Sequence, residues 1–257
     1  MRFEGLWVRY GRRAPWVLRG VTAALDPGQV AVVLGRNGVG KSTLLRAAVG
    51  LLRPGRGAVV DRPRRIGWVP ERFPADQPFT VRSYVLGMAS VRGIPTAVTT
   101  ADLARWAERL HLTPFLDTAL LALSKGSAQK VCLIQALIGD PELLVLDEPW
   151  EGLDATTRDA IPLIITEIVA RGGRVLVSDH LGETARLPDA RHWRLVDGAL
   201  AVERGTAEEE YVVEVAVAAA EASSAVARLR ADGHRVLAVR PREAADGGEP
   251  VTPGAAS

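Results

Sequence analysis

Gly35-Arg36-Asn37-Gly38-Val39-Gly40-Lys41-Ser42 sets three glycines, a lysine and a hydroxyl at the spacing G-x-x-x-x-G-K-[ST]. Glycines at these positions let successive backbone N–H groups turn inward around phosphate oxygens without Cβ clashes. A helix starting near Lys41 adds the positive end of its dipole. Lys41 has the reach and charge for β- and γ-phosphates, and the Ser42 hydroxyl suits Mg²⁺. A second group of chemistry-bearing residues lies further on, where Asp147 and Glu148 end the apolar run Leu143-Leu144-Val145-Leu146. There Asp147 is placed to hold Mg²⁺ through water. Glu148, on the other side of the pleat, is placed to orient and polarise an attacking water. Together these residues predict a nucleoside triphosphate site. Gly35, Asn37, Gly38, Gly40, Lys41, Ser42 and Thr43 are its candidate phosphate contacts, and a nucleoside triphosphate with Mg²⁺ is the implied ligand.

The elements around these residues suit that chemistry. Val30 to Leu34 is an apolar run of strand length, fit for burial on both faces, and it feeds the glycine loop. Ser42 to Leu52 has helical spacing and ends at Pro54-Gly55. Leu6-Trp7-Val8, Val21 to Leu25, Ala58 to Val60 and Ile66 to Val69 read as short strands. From Thr80 to Leu123 the pattern is helical, broken at Gly93-Ile94-Pro95 and Thr113-Pro114. Ala128 to Ile138 and Thr157 to Ala170 read as helices, and Leu143 to Leu146 and Arg174 to Val177 as buried strands. Alternation of this kind predicts an α/β protein with a mostly parallel sheet and helices on both faces. His192 to Val196 and Leu200 to Val202 predict a hairpin around Asp197-Gly198. After Gly205 the texture changes. Tyr211 to Val217 reads as a strand, Ala222 to Leu229 as a helix and Arg235 to Val239 as a strand. Pro241 to Ser257 reads as a disordered tail. The expected domains are therefore 1–204 with a helical insert at about 78–125, a small α+β appendage at 205–240, and the tail at 241–257.

Composition excludes several classes. The 257 residues are 47% apolar and 24% charged, ordinary for a globular protein. No apolar run approaches the ~20 residues of a membrane span. The 32 basic and 30 acidic residues nearly balance at +2, which argues against a nucleic-acid surface. A lone cysteine, Cys132, excludes an intramolecular disulfide and a cysteine metal cluster, and fits a cytoplasmic setting.

With both halves of the site in place, the chain from about Phe3 to Glu203 closely resembles the nucleotide-binding subunit of an ABC transporter: a P-loop NTPase core, an antiparallel β subdomain and a helical insert. Leu123-Ser124-Lys125-Gly126-Ser127 resembles the family's LSGGQ signature, with Lys125 for the first glycine and Ser127 for the glutamine. In isolation the same residues read as a serine N-cap. The resemblance implies that two subunits pair head to tail, so that Ser124 and Gly126 of one face the ATP of the other. It further implies that Tyr10 stacks on adenine, with Trp16 as its rival. Trp150-Glu151-Gly152-Leu153-Asp154 resembles the D-loop, placing Asp154 near the dimer seam, although Trp150 is not the small polar residue usual there. Val177-Ser178-Asp179-His180 resembles the switch segment, giving His180 a bond to γ-phosphate or the attacking water. Glu71 stands where the family usually has glutamine, a candidate Mg²⁺ ligand that adds negative charge beside phosphate.

The function so implied is ATP binding and hydrolysis powering transport through a separate transmembrane permease. The catalytic set is Glu148, His180 and Lys41, and the metal set Ser42, Asp147 and Glu71. Partners would be the permease and a second ATP-binding subunit, identical or different, with no nucleic acid. The chain would lie in the cytoplasm against the inner face of the membrane. The signature and the C-terminal appendage look like bacterial export-type subunits. The alternatives are a slow or degenerate regulatory subunit, motivated by Glu71, Lys125 and Ser127, and a non-transport relative acting on nucleic acid or ribosomes.

Overall fold

The computed structural model describes residues 1–179, 187, 189–203, 217–231, 236 and 239. Two compact units divide the chain, Met1–Ala207 and Glu208–Ser257.

In chain order the first unit contains β1 (Arg2–Val8), β2 (Leu18–Ala24), β3 (Val30–Leu34), α1 (Lys41–Val49), β4 (Arg56–Val60), β5 (Ile66–Val69), α2 (Val81–Val91), α3 (Thr96–Arg109), α4 (Lys125–Leu137), β6 (Leu143–Asp147), α5 (Ala155–Ala170), β7 (Arg174–Asp179), β8 (Arg191–Val196) and β9 (Ala199–Glu203). Six strands form one sheet in the order β5-β6-β7-β3-β8-β9, parallel except for β9, which returns antiparallel beside β8. Three strands form a separate antiparallel sheet, β2-β1-β4. This is the α/β P-loop NTPase architecture that the sequence predicts.

The parallel sheet is buried on both faces because its strands are apolar at successive positions, not alternate ones. Val30, Val32, Leu144, Leu146, Val175 and Val177 pack into a cluster with α2, α3, α4 and α5. The intervening Ala31, Val33, Leu143, Val145 and Leu176 pack into a second cluster with α1 and the antiparallel sheet. The pleat thus clamps β3 and β6 between two cores, fixing the strand ends that carry the glycine loop and the acidic pair.

Several elements differ from their expected bounds. β1 starts at Arg2, not Leu6, because Phe3 is fully buried between exposed Arg2 and Glu4. That alternation marks a half-buried strand, but charged residues on the open face hide it. β2 starts at Leu18, not Val21. α4 starts at Lys125, three residues before the apolar run, because Ser124 caps it. α5 starts at Ala155 on an Asp154 cap and carries Pro162 within it. The insert contains α2 and α3, with 3₁₀ turns at Thr113–Phe115 and Leu120–Ala122. The β8–β9 hairpin turns at Asp197 and Gly198, both at positive φ.

In the second unit, a 3₁₀ turn at Ala219–Glu221 leads into α6 (Ala222–Ala231), where the sequence predicts a helix. The expected strands at 211–217 and 235–239 and the tail fall almost wholly outside the described residues, as does His180.

Candidate functional site

β3 delivers the chain into the glycine loop at Leu34, and α1 begins at Lys41. Gly35 lies against β8, where a Cβ would meet the Leu195 carbonyl oxygen at 2.7 Å. Gly40, the N-cap of α1, has φ +115, a region that L side chains rarely adopt. It makes no side-chain cap, and the first turn of α1 holds no acid. The loop therefore keeps its backbone close and leaves the helix N-terminus without a side-chain acceptor, as an anion cradle requires.

Lys41 is buried, and its Nζ donates to the Gly35 carbonyl at 2.9 Å and to Asn37 Oδ1 at 3.4 Å. It also pairs with Glu148 Oε1 at 3.4 Å. The two halves of the site, about a hundred residues apart in the chain, meet in this ion pair. Tyr10 is 59% exposed, and its hydroxyl is 2.9 Å from Thr43 Oγ1. Trp16 is engaged elsewhere: it stacks edge-on against Trp7 and lies under the Arg9 guanidinium. A cleft of about 410 Å³ is lined by Tyr10, Asn37, Gly38, Gly40, Lys41, Ser42, Thr43, Glu71 and Glu148, together with Val17.

Asp147, next in the chain to the cleft-lining Glu148, is 1% exposed. Burial pushes its carboxyl above the ordinary range. The hydroxyls of Ser178 and Ser42 act in the opposite direction, and the Glu148 charge adds to the rise. Asp147 Oδ1 accepts from Ser178 Oγ at 2.7 Å, whereas Oδ2 is buried with no hydrogen-bond partner among the described residues. An orphaned carboxylate oxygen at this depth is costly. With the Ser42 hydroxyl nearby and Glu71 in the cleft, it fits a hard cation with oxygen ligands. Glu148 has φ +49, a left-handed conformation that costs a non-glycine residue about 1–2 kcal/mol. Its N–H donates to Ser178 Oγ at 3.0 Å. Among the described residues Glu71 pairs with Arg72 at 3.9 Å, and Arg72 is 90% exposed, so that pairing offsets its charge only weakly.

Ser124, Gly126 and Asp154 do not line the cleft. They form a second constellation. Ser124 Oγ caps α4 by accepting from the Ser127 N–H at 3.1 Å. Gly126 packs so closely on the 150–154 turn that a Cβ would lie 2.7 Å from the Gly152 carbonyl oxygen. Lys125 Nζ pairs with Glu151 Oε1 at 2.7 Å, and its methylenes lie over Gly152. Lys130 Nζ, nearly buried, pairs with Asp154 Oδ2 at 2.7 Å. Lys130 and the Thr157 N–H together hold the Asp154 carboxyl far below its usual range. Two ion pairs thus fasten the start of α4 to the turn before α5. Trp150, the odd residue of that turn, is 4% exposed and belongs to the main core. Sequence reasoning missed Ser178, Lys130 and Val17. Ser178 lies inside the switch-like segment, but its role there, like those of Lys130 and Val17, shows only through strand register and helix packing.

Residues 18–151 match the family described as ABC transporter. A Zinc import ATP-binding protein ZnuC of Pseudomonas entomophila is 35% identical over 182 residues, spanning 70% of this chain and 68% of the relative. A Zinc import ATP-binding protein ZnuC of Yersinia enterocolitica is 36% identical over 177 residues, or 67% of each. Among solved structures, the ATP-binding subunit of an ABC transporter superposes with a TM-score of 0.73 at 27% identity, covering 79% of this chain and 89% of that one. These relatives do not support the expected export-type character, since the curated ones carry import in their names.

Proposed function

The chain belongs to the ABC transporter family, and from that premise we propose residue roles, a cargo class and an assembly for it. It is the ATP-binding, ATP-hydrolysing subunit of a transporter, powering transport through a separate membrane partner. No helix among the described residues is long and apolar enough to cross a membrane.

In the proposed roles, the loop amides, Lys41 and the N-terminus of α1 bind the triphosphate, and Tyr10 packs on the base. Ser42 and Asp147 hold Mg²⁺, with Glu71 as a third oxygen donor. The metal, when bound, supplies charge neutralisation at the phosphates. Glu148 orients the attacking water and draws on its proton, and Lys41 stabilises charge developing on the γ-phosphoryl oxygens. His180 is retained as a further hydrogen-bonding group at the γ-phosphate. Ser124, Gly126 and Asp154, lying apart from the cleft, act on the nucleotide of a second subunit in a head-to-tail dimer. The partners are then a permease and a second ATP-binding subunit, with the chain at the inner face of the membrane. The cargo class is a divalent metal ion taken up into the cell, on the strength of the curated zinc-import relatives.

The observation that carries this reading is the 3.4 Å pairing of Lys41 with Glu148. It brings the phosphate-binding cation and the hydrolytic acid into one cleft. The test is ATP turnover and nucleotide-dependent dimerisation of the purified chain and its Glu148→Gln variant. The reading predicts that Glu148→Gln binds ATP, dimerises and loses at least about a hundredfold in turnover. Turnover unchanged by the substitution would overturn it.

A further inference from the structure

Ser178 lies on β7, the strand between the one that carries the glycine loop and the one that carries the acids. Its neighbours in register are Asp147 on β6 and Val33 on β3. The residue is fully buried. Its single hydroxyl proton goes to Asp147 Oδ1 at 2.7 Å, and its lone pair accepts the Glu148 N–H at 3.0 Å. A hydroxyl has one proton to donate, so these two bonds fix its rotamer and its polarity. One oxygen therefore grips two consecutive acids whose side chains do different work.

We propose that Ser178 is the positioning residue of the acidic pair. By occupying Asp147 Oδ1 it fixes the carboxylate so that Oδ2, which has no hydrogen-bond partner among the described residues, is the one available to the metal. By holding the Glu148 N–H it supports the left-handed backbone with which Glu148 leaves the strand. Ser178 itself touches neither substrate nor metal. The inference rests on the proposed roles of Asp147 and Glu148, and it adds a group on a third strand that couples them. An alanine or valine would suit the apolar strand better, because a buried hydroxyl is tolerated only where its hydrogen bonds are made.

The test compares wild type, Ser178→Ala, Ser178→Thr and Glu148→Gln, each as the full chain and each checked for a cooperative thermal transition. ADP is titrated calorimetrically with and without Mg²⁺, and steady-state ATP hydrolysis is followed across ATP concentrations to give kcat and KM. Ser178→Ala should keep the Mg²⁺-free ADP affinity within about twofold. It should lose about tenfold of the affinity gained on adding Mg²⁺, the scale of one hydrogen bond to a charged group. Hydrolysis should fall by about tenfold or more at unchanged KM, and Ser178→Thr, which keeps the hydroxyl, should recover most of both. A Ser178→Ala protein with wild-type Mg²⁺ gain and hydrolysis overturns the proposal. So does one whose Mg²⁺-free affinity and KM collapse together with its fold, since that marks a packing role. If Glu148→Gln is inactive while Ser178→Ala is unimpaired, only the positioning role fails. If Glu148→Gln hydrolyses normally, the role of the acid fails and the positioning role falls with it.

Discussion

Gly126 is the second residue of α4, and replacing it with alanine sets two effects against each other. Helix propensity favours alanine over glycine by at most about 1 kcal/mol, less near the helix start. The Cβ, however, would sit 2.7 Å from the Gly152 carbonyl oxygen, where ordinary contact begins at 3.4 Å. The shortfall of about 0.7 Å is against backbone, which cannot rotate away, and overpacking of this kind costs about 1–3 kcal/mol. Gly126→Ala should therefore destabilise the fold by about 1–2 kcal/mol net. Gly87→Ala supplies the control. Gly87 lies within α2 with nothing near its Cβ position, so alanine there should stabilise by about 0.5–1 kcal/mol. Urea unfolding followed by far-UV circular dichroism reads both. With m near 3 kcal/mol/M, Gly126→Ala should lower the midpoint by about 0.3–0.7 M and Gly87→Ala should raise it slightly. Because Gly126 is a proposed contact to the second subunit's nucleotide, nucleotide-dependent dimerisation should weaken as well. A Gly126→Ala protein as stabilised as Gly87→Ala would refute the close packing of α4 on the 150–154 turn.

Further outcomes follow from the same geometry. Asp147 has its carboxyl raised above the unfolded value by burial, so its contribution to stability is full at low pH and is lost as pH rises through the folded value. Asp147→Asn should accordingly melt higher than wild type at pH 7 while losing the Mg²⁺-dependent part of nucleotide affinity; a lower melting temperature would contradict this. Asp154 is depressed, so its contribution is full above its unfolded value and is lost as pH falls towards the folded one. Asp154→Asn should cost about 1 kcal/mol at pH 7 and have little effect in strong acid, as measured by thermal melts across pH. Lys41→Met should weaken ATP binding about 10- to 150-fold in calorimetry, the worth of one charge-assisted contact to phosphate. Tyr10→Ala should raise KM for ATP several-fold with kcat little changed, whereas Trp16→Ala, outside the cleft, should leave KM alone.

The phosphate loop and the acidic pair were readable from sequence because their chemistry is contiguous: each needs a run of particular residues at a strand end. The parallel sheet was readable because Val30–Leu34 and Leu143–Asp147 are apolar without alternation. What the sequence hides are partners joined across strands and helices. Ser178 meets Asp147 only once β6 and β7 take their register. Lys125 stood out in sequence only as a departure from the signature, and its pairing with Glu151, like that of Lys130 with Asp154, exists only once α4 docks on the turn before α5. Trp150 looked like a departure from the D-loop, but it fills core volume behind that turn. The resemblance put Tyr10 forward with Trp16 as its rival, and the tertiary fold sets Tyr10 on the cleft and Trp16 in an aromatic–arginine stack.

The most direct measurement is a calorimetric titration of the purified chain with ATP, with and without Mg²⁺, beside its Lys41→Met variant. Saturable one-to-one binding per chain that tightens with Mg²⁺ and is largely lost in the variant is the predicted result. A wild-type protein that releases no binding heat with ATP under either condition, or a variant that binds as tightly as wild type, would contradict a nucleotide site built on Lys41 and the acids beneath it.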